Sequence, residues 1–221
     1  MTADAERPPT ALHPLLRAAV WWTTGLLLTA AALLLTDPST QLYLAVAHTH
    51  IQWPHQLANG LIIALTATAT LQTWLHRHAP RRVATAIASG AGVLTAYGTS
   101  EALKVIFTQE RPCRAVLPDP QCPEVGSWSF PSNHATIAFS LATVVVLLSV
   151  SAWAWSAYLA AFAAAASRVV DGVHLPHDTI AGAILGICTT VALTILLTAQ
   201  TRVLIERLSR AHQRRRALPN Q

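Results

Sequence analysis

The chain has 221 residues, of which 52% are apolar and only 11% are charged, and its mean hydropathy is +0.41. Soluble domains carry about 25% charged residues, so this composition excludes an ordinary soluble enzyme and indicates an integral membrane protein built as one bundle. The net charge of +5 matters less than the placement of the basic residues. Three cysteines without a CxxC pair are too few for a disulfide scaffold or a typical zinc site.

Six apolar runs divide the chain, and each except the fifth approaches the roughly 20 residues that a helix needs to cross a bilayer. The predicted spans are residues 15–36, 56–75, 83–103, 135–153, 155–170 and 179–200. We predict an all-α, integral membrane six-helix bundle over residues 15–200, between a disordered segment 1–14 and a basic tail 201–221. Gly182 and Gly186, four residues apart in the sixth span, predict close packing between helices.

Basic residues predict the orientation of this bundle. Eleven of the fifteen Lys and Arg residues lie in or beside the N-terminal segment, in the loop after the second span and in the tail, which six spans place on one side. The positive-inside rule makes that side cytoplasmic, with both termini on it. The other four are Lys104, Arg111, Arg114 and Arg168, on the outer side. We interpret this outer group as binding something anionic, except Arg114, which we interpret as a solvated loop charge.

The first outer loop, residues 37–55, is apolar enough to lie along the outer membrane surface. His48, His50 and His55 in this loop have mixed helical spacings and no acidic partner nearby. An interfacial segment that covers the bundle is therefore favoured over a metal site.

The stretch SRVVDGVHLPHD before the sixth span holds five ionisable side chains between two strongly apolar runs, where charge is costly unless it has a function. His174 and Asp178 are four residues apart. If this segment is helical, the carboxylate accepts from one ring nitrogen and leaves the other as a nucleophile or base. Arg168 adds a planar donor fork suited to phosphate. Structural or pH-tuning roles are favoured for Asp171 and His177.

Two further stretches lie on the same side. Lys104 and Arg111 are seven residues apart, two helical turns, so both point along one face before Pro112 ends the helix. Ser132 is a good N-cap for the fourth span, where free N–H groups offer positive potential to a phosphate, and His134 follows. Alone, the first stretch suggests two snorkelling cations and the second an ordinary cap. Together the three stretches supply what phosphoryl transfer needs without a metal.

Taken in order, KxxxxxxRP, PSxH and SRxxxxxHxxxD resemble the three motifs of the type 2 phosphatidic acid phosphatase superfamily of membrane lipid phosphatases. The resemblance implies that His174 forms a phosphohistidine, that Asp178 supports it and that His134 is the general acid. The implied phosphate ligands are Lys104, Arg111, Ser132, Asn133 and Arg168, with Ser167 as a helper. Asn133 stands where the family usually has glycine, which puts the pocket shape and the choice of substrate in question more than the activity.

The resemblance implies metal-independent removal of phosphate from a lipid phosphate or pyrophosphate at the outer face of a bacterial-type plasma membrane. Undecaprenyl pyrophosphate is the favoured substrate, with phosphatidate and phosphatidylglycerol phosphate as alternatives, and a phosphotransferase would use the same intermediate. No cofactor, metal or nucleic-acid partner is expected, and a homo-oligomer is left open. A proton-coupled transporter is disfavoured because it would place ionisable groups at mid-span depth. Cys113 and Cys122 lie between the first two motifs, where a disulfide is permitted outside the cytoplasm.

Overall fold

A computed structural model of the chain describes residues 12–47, 56–149 and 151–217. Its elements in chain order are α1 (Leu12–Ala31), a 3₁₀ turn (Ala32–Leu35), α2 (Thr36–Ala47), α3 (Leu57–Leu75), α4 (Pro80–Phe107), α5 (Pro112–Ala115), α6 (Asn133–Leu148), a second 3₁₀ turn (Ala152–Trp155), α7 (Ser156–Val170) and α8 (Pro176–Ala217). The described residues contain no strand, so the predicted all-α class is confirmed. The first predicted span corresponds to α1 with the 3₁₀ turn that follows it, and the other five correspond to α3, α4, α6, α7 and α8.

Helix α6 is the centre of the bundle. It packs against α3, α4, α7 and α8, whereas α1 packs on the outside against α8. The sequence of α6 suits this position, because small residues such as Ala135, Ala138 and Ala142 let neighbouring helices approach closely. Leu141 and Val145 of α6 share one core cluster with Leu65 of α3 and Ala161 of α7. Side chains from four helices can therefore reach the N-terminal end of α6.

Glycines allow α8 to approach its neighbours closely. A Cβ at Gly182 would lie 2.5 Å from the carbonyl oxygen of Ser132, and a Cβ at Gly186 would meet the carbonyl of Thr136. One turn further along α8, a Cβ at Gly92 of α4 would lie 2.7 Å from the Cα atom of Thr190. No larger residue fits at these distances, so the close packing predicted for Gly182 and Gly186 is confirmed.

The first predicted loop is largely helical. Helix α2 runs on to Ala47, so the prediction of an interfacial loop beginning at residue 37 was wrong for this part. Pro38 does not break the helix because it lies in the first turn, where a backbone N–H has no intrahelical partner. Tyr43 is buried with Val169 and Leu175, and this contact holds α2 against the turn between α7 and α8. His48, His50 and His55 lie outside the described residues.

Three other boundaries differ from the predicted ones. Helix α1 begins at Leu12, inside the segment predicted to be disordered, and residues 1–11 lie outside the described part of the chain. Helix α6 ends at Leu148 rather than 153, because Ser149 is extended and its hydroxyl accepts a hydrogen bond from the N–H of Ser151. Helix α8 continues to Ala217, so most of the predicted basic tail is helical.

The described helices suit a lipid environment. Two helical stretches, His13–Ala47 and Pro176–Ala211, are long and apolar enough to cross a bilayer, and Asn133–Leu148 is a shorter apolar helix. Large apolar side chains on the outside of the bundle are mostly exposed, among them Leu34, Leu94, Val105, Leu159 and Phe162. Soluble monomers seldom expose apolar surface on this scale, whereas contact with acyl chains covers it.

Candidate active site

The three predicted motifs meet at the N-terminal end of α6. Helix α4 supplies Lys104 near its last turn, and the segment after α4 supplies Arg111. Helix α7 ends with Arg168 in its last turn, and the connection to α8 carries His174. The charges of Lys104, Arg111 and Arg168 are close enough to act on His134 of α6, and His174 is a further neighbour of that ring. Residues that are up to 70 apart in the sequence therefore form one site.

His174 is buried between α7 and α8, with contacts at both ring nitrogens. Its Nε2 atom lies 3.3 Å from Nη1 of Arg111. A guanidinium can only donate, so Nε2 is unprotonated and carries a lone pair. Nδ1 therefore carries the hydrogen, and it lies 3.3 Å from Oγ of Ser129 and 3.5 Å from Oδ2 of Asp178. The predicted pairing with Asp178 is present, although His174 precedes the helix instead of lying on it.

The electrostatic surroundings keep the ring of His174 uncharged. Burial lowers the pKa of His174 to about 4, because a charged imidazole would lose its hydration. Asp178 opposes this shift, whereas Arg111 and Arg168 add to it. At neutral pH the lone pair on Nε2 is therefore available to attack an electrophile.

Asp178 lies in the first turn of α8, with no exposed surface and with contacts at both carboxylate oxygens. Oδ2 accepts from the N–H of Leu175 at 2.8 Å and from the hydroxyl of Ser129. Oδ1 lies 3.2 Å from Nε2 of Gln109 and 3.1 Å from Nε2 of His177. A buried carboxylate is costly without such partners. Sequence reasoning missed Ser129, which lies outside the three motifs, and Gln109, which occupies an unspecified position within the first motif.

His177 has structural contacts, in line with the role favoured for it. Its ring is fully buried and stacks on Phe130 with a centroid separation of 5.7 Å. Oγ of Ser39 accepts from the backbone N–H of His177 at 2.9 Å and lies 3.0 Å from its Nδ1. Helix α2 is thus connected to Asp178 through His177. Ser39 was not predicted because its segment was interpreted as a loop.

Arg111 is only 6% exposed, and its guanidinium is held from several sides. Nε donates to the carbonyl of Ser127 at 2.8 Å, and Nη2 donates to the hydroxyl of the same residue at 3.0 Å. Nη1 donates to the carbonyl of Val173 at 3.0 Å. These bonds fix the plane of the guanidinium beside His174. Ser127 is a second serine that the motifs did not reveal.

The loop that carries these serines is covalently closed. Cys113 and Cys122 form a disulfide, which answers the question that the sequence left open. Arg114 pairs with Glu110 at 2.7 Å and donates to the carbonyl of Pro123, so it holds the loop together instead of being a solvated charge. The loop is therefore a structured wall of the site.

Two buried donors of the predicted phosphate site have no hydrogen-bond partner within the described part of the chain: Oγ of Ser132 and Nε of Arg168. Nη1 of Arg168 donates to Asp171 at 2.9 Å. Buried polar atoms are nearly always paired, so two orphaned donors indicate a place for an external acceptor. Ser167 differs, because its hydroxyl donates to the carbonyl of Ala164 on its own helix at 2.9 Å. That contact is structural.

Lys104 and Asn133 share one partner, Glu101 of α4. Oε1 of Glu101 lies 3.2 Å from Nζ of Lys104 and accepts from Nδ2 of Asn133 at 2.6 Å. Oδ1 of Asn133 accepts from the hydroxyl of Ser100 at 2.7 Å. The side chain that stands in place of glycine is therefore directed at α4.

His134 is half-buried in the first turn of α6. Its Nε2 atom lies 3.0 Å from Oδ1 of Asn59 on α3, and Nδ2 of Asn59 donates to Gln56 at 3.2 Å. Because the amide oxygen can only accept, Nε2 of His134 carries a hydrogen. This hydrogen is directed at Asn59, so the ring can donate a proton to a substrate when Nδ1 is protonated as well. Asn59 was missed because α3 carries none of the three motifs.

Among the described residues, no group of three His, Cys, Asp or Glu side chains could hold a metal ion. The site instead combines three cationic side chains, a helix N-terminus, two orphaned donors, an unprotonated ring nitrogen and a protonated one. Such a set can bind a tetrahedral anion, attack it and protonate a departing oxygen.

Comparison with known proteins agrees with this arrangement. The sequence profile of the PAP2 superfamily matches residues 82–202. A bacitracin transport permease protein, BcrC, of Bacillus licheniformis is 40% identical over 72 residues, which cover 32% of this chain and 34% of that protein. An undecaprenyl-diphosphatase of Sulfolobus acidocaldarius is 39% identical over 88 residues, which cover 39% of this chain and 42% of that protein. The matched parts are thus less than half of either relative.

A solved structure shares the fold. It is described as the first transmembrane PAP2-type phosphatidylglycerolphosphate phosphatase from Bacillus subtilis. The TM-score is 0.59 at 17% sequence identity, and the match covers 80% of this chain and 94% of that one.

The fold and the site together define a helical bundle of the membrane phosphatase type, with its polar groups gathered at one end. Since the superfamily profile covers more than half of the residues, the chain belongs to the PAP2 superfamily. The resemblance drawn from the three sequence motifs is confirmed, and a membrane location is supported by the family and by the apolar helices.

Proposed function

We propose that this chain is an integral membrane phosphatase that removes phosphate from a lipid phosphate or pyrophosphate through a phosphohistidine on His174, without a metal. One observation carries the proposal: the unprotonated Nε2 of His174 lies 3.3 Å from a guanidinium nitrogen of Arg111. A nucleophile placed beside a phosphate-binding cation, on a ring held by Asp178, meets the requirements of attack on phosphorus.

The substrate phosphoryl group binds at the N-terminus of α6. Charge spreads over its equatorial oxygens in the transition state, and fixed donors in a site with little water stabilise that charge. The proposed donors are the backbone N–H groups at the start of α6 and the side chains of Lys104, Arg111, Ser132 and Arg168. The orphaned Oγ of Ser132 and Nε of Arg168 support this assignment, because a phosphate oxygen would satisfy each.

The reaction proceeds by two displacements. Nε2 of His174 attacks phosphorus while the bond from phosphorus to the leaving oxygen breaks, and His134, charged with a hydrogen on each ring nitrogen, gives one proton to that oxygen. The negative charge of the bound phosphate favours this charged form of His134. Water then attacks the phosphohistidine, His134 takes a proton from the water, and the phosphorus–nitrogen bond breaks to release inorganic phosphate. Asp178 stabilises the positive charge that His174 carries in the intermediate.

Undecaprenyl pyrophosphate is the substrate that we favour. The 39% identity to an undecaprenyl-diphosphatase supports this choice. Phosphatidate and phosphatidylglycerol phosphate are the alternatives, and an alcohol or phosphate acceptor in place of water would make the protein a phosphotransferase.

We place the site at the outer face of the membrane and both termini in the cytoplasm. The arginines of the second loop and the tail support this orientation by the positive-inside rule. The disulfide between Cys113 and Cys122 supports it independently, because disulfides persist outside the reducing cytoplasm. If an impermeant thiol reagent fails to label these cysteines in intact cells after reduction, but labels them after lysis, this orientation is wrong.

Phosphate release tests the proposed activity. The purified protein is assayed with EDTA present on undecaprenyl pyrophosphate, undecaprenyl phosphate, phosphatidate and phosphatidylglycerol phosphate, with labelled alcohol added to detect transfer. We expect release that is insensitive to EDTA, inhibited by vanadate and abolished by His174→Ala. Thr95→Ala is the control, since that hydroxyl donates only within α4 to the carbonyl of Ala91. Full activity in a folded His174→Ala protein would contradict the mechanism.

A further inference from the structure

Asn133, the first residue of α6, connects this helix to α4 through both ends of its amide. The carboxylate of Glu101 can only accept, so Nδ2 of Asn133 must face it, at 2.6 Å. Oδ1 of Asn133 consequently faces Ser100, whose hydroxyl donates at 2.7 Å. The amide is therefore directed at the neighbouring helix and away from the orphaned donors of the site.

The same carboxylate oxygen of Glu101 also serves Lys104. Oε1 lies 3.2 Å from Nζ, and the lysine side chain is 11% exposed whereas the glutamate side chain is 48% exposed. A lysine buried to this extent needs a counter-ion. A half-exposed carboxylate held by lysine alone would spend much of its time turned towards water, because an exposed pair gains little from a single geometry. The bond from Asn133 restrains it.

We propose that Asn133 and Glu101 are positioning residues for Lys104, which they fix at the N-terminus of α6 so that its remaining N–H groups face the bound phosphate. The proposal rests on the function proposed above. In this arrangement Asn133 acts through Glu101 and does not touch the substrate. Glycine at this position has no side chain to restrain the carboxylate, so the replacement gives this chain its own way of placing the lysine.

A double-mutant cycle tests the coupling. The full-length enzyme is compared with Asn133→Ala, Glu101→Gln and the double variant, by KM and kcat for lipid phosphate and by Kd for inorganic phosphate. We expect each single change to raise KM and Kd about tenfold, the size of one lost bond to a charged group, with kcat changed much less. The double variant should resemble Glu101→Gln, because without the carboxylate Asn133 has no counter-ion of the lysine left to restrain. Thr95→Ala on α4 is again the control, and thermal unfolding in detergent verifies folding.

A pH profile separates positioning from a structural role. Asn133→Asp places a second carboxyl group at hydrogen-bond distance from Glu101, and repulsion between two carboxylates this close raises the pH at which the second of them ionises. The pair would share a proton at low pH and keep the bond, so KM should be near that of the wild type there. KM should rise as the pH increases and the shared proton is lost. A purely structural role for residue 133 predicts that KM has the same pH dependence in Asn133→Asp as in the wild type.

Two outcomes would overturn the proposal. Additive effects in the cycle would mean that Asn133 contacts phosphate directly, and unchanged KM and Kd in Asn133→Ala would mean that Lys104 needs no such restraint. Phosphate binding requires no turnover, so the cycle on Kd is decisive even if the wild-type enzyme hydrolyses none of the lipids. A wild-type enzyme that hydrolyses none of these lipids would instead refute the proposed function.

Discussion

Ser129→Ala is the substitution that tests most directly how the pair of His174 and Asp178 is held. The serine hydroxyl donates to Oδ2 of Asp178 and lies 3.3 Å from Nδ1 of His174, and the residue has no exposed surface. Alanine removes one oxygen atom and leaves the chain otherwise unchanged. The carboxylate then keeps the N–H of Leu175, at 2.8 Å, as the donor to Oδ2.

The size of the effect follows from these contacts. A hydrogen bond to a buried charged group contributes about 1.5–3 kcal/mol. Asp178 stabilises His174 most strongly when that ring becomes positively charged in the transition state. Losing the hydrogen bond that holds Asp178 should therefore raise the activation free energy. We therefore expect kcat to fall by about 10- to 150-fold. KM should change little, because Ser129 contacts none of the proposed phosphate ligands.

Steady-state phosphate release from the preferred lipid measures both constants, and Ser127→Ala is the matched comparison from the same loop. Ser127→Ala removes the hydroxyl that accepts from Nη2 of Arg111 at 3.0 Å and keeps the carbonyl that accepts from Nε at 2.8 Å, so KM should rise and kcat should stay within a few-fold of the wild type. Unfolding temperatures verify that both variants are folded. If folded Ser129→Ala keeps the wild-type kcat, or if both variants change KM and kcat in the same way, the reasoning is wrong.

Reducing the bond between Cys113 and Cys122 should raise KM severalfold, since the loop that holds the guanidinium of the first motif loses its covalent closure; a purified enzyme indifferent to reductant would contradict this. Gly182→Ala places a Cβ 2.5 Å from the backbone at the start of α6, so the unfolding temperature and kcat/KM should both fall, whereas Gly98→Ala, with nothing within 4 Å, should be neutral. Because the pKa of His174 is lowered to about 4, protonation of this ring should lower kcat/KM only near pH 4 and not at its ordinary pKa. A decline of kcat/KM at about pH 6.5 instead would show that the ring of His174 is not so strongly desolvated.

The chemically essential part of the site could be predicted because phosphate chemistry requires particular side chains. An unprotonated imidazole, an orienting carboxylate and several cations have few substitutes, and their spacings along the chain are short. Ser129, Ser127 and Gln109 could not be found in this way. Serine and glutamine are common loop residues, and their hydrogen-bond partners are decided by how the loop folds. Asn59 and Ser39 reach the site from helices that carry no motif at all.

The fold, like the site, has a part that could be predicted from the sequence and a part that could not. The six helical segments were predictable because crossing a bilayer demands about 20 apolar residues, which composition reveals. Helix ends depend on local contacts instead. Helix α2 continues past Pro38 because proline is tolerated in a first turn. Helix α8 continues into the basic tail because arginine, leucine and alanine favour helix whatever their charge, and Arg202 pairs with Glu206 one turn later at 2.8 Å.

The length of α8 has a consequence on the side of the bilayer away from the site. Its 42 residues extend about 63 Å, roughly twice the thickness of a hydrocarbon core. Asp178 fixes its first turn at the site, and even a tilt of about 40° would leave some 18 Å beyond the opposite leaflet. In the orientation proposed above, Arg202, Arg207 and Arg210 lie along this protruding end of α8, where they meet the anionic head groups of the cytoplasmic leaflet.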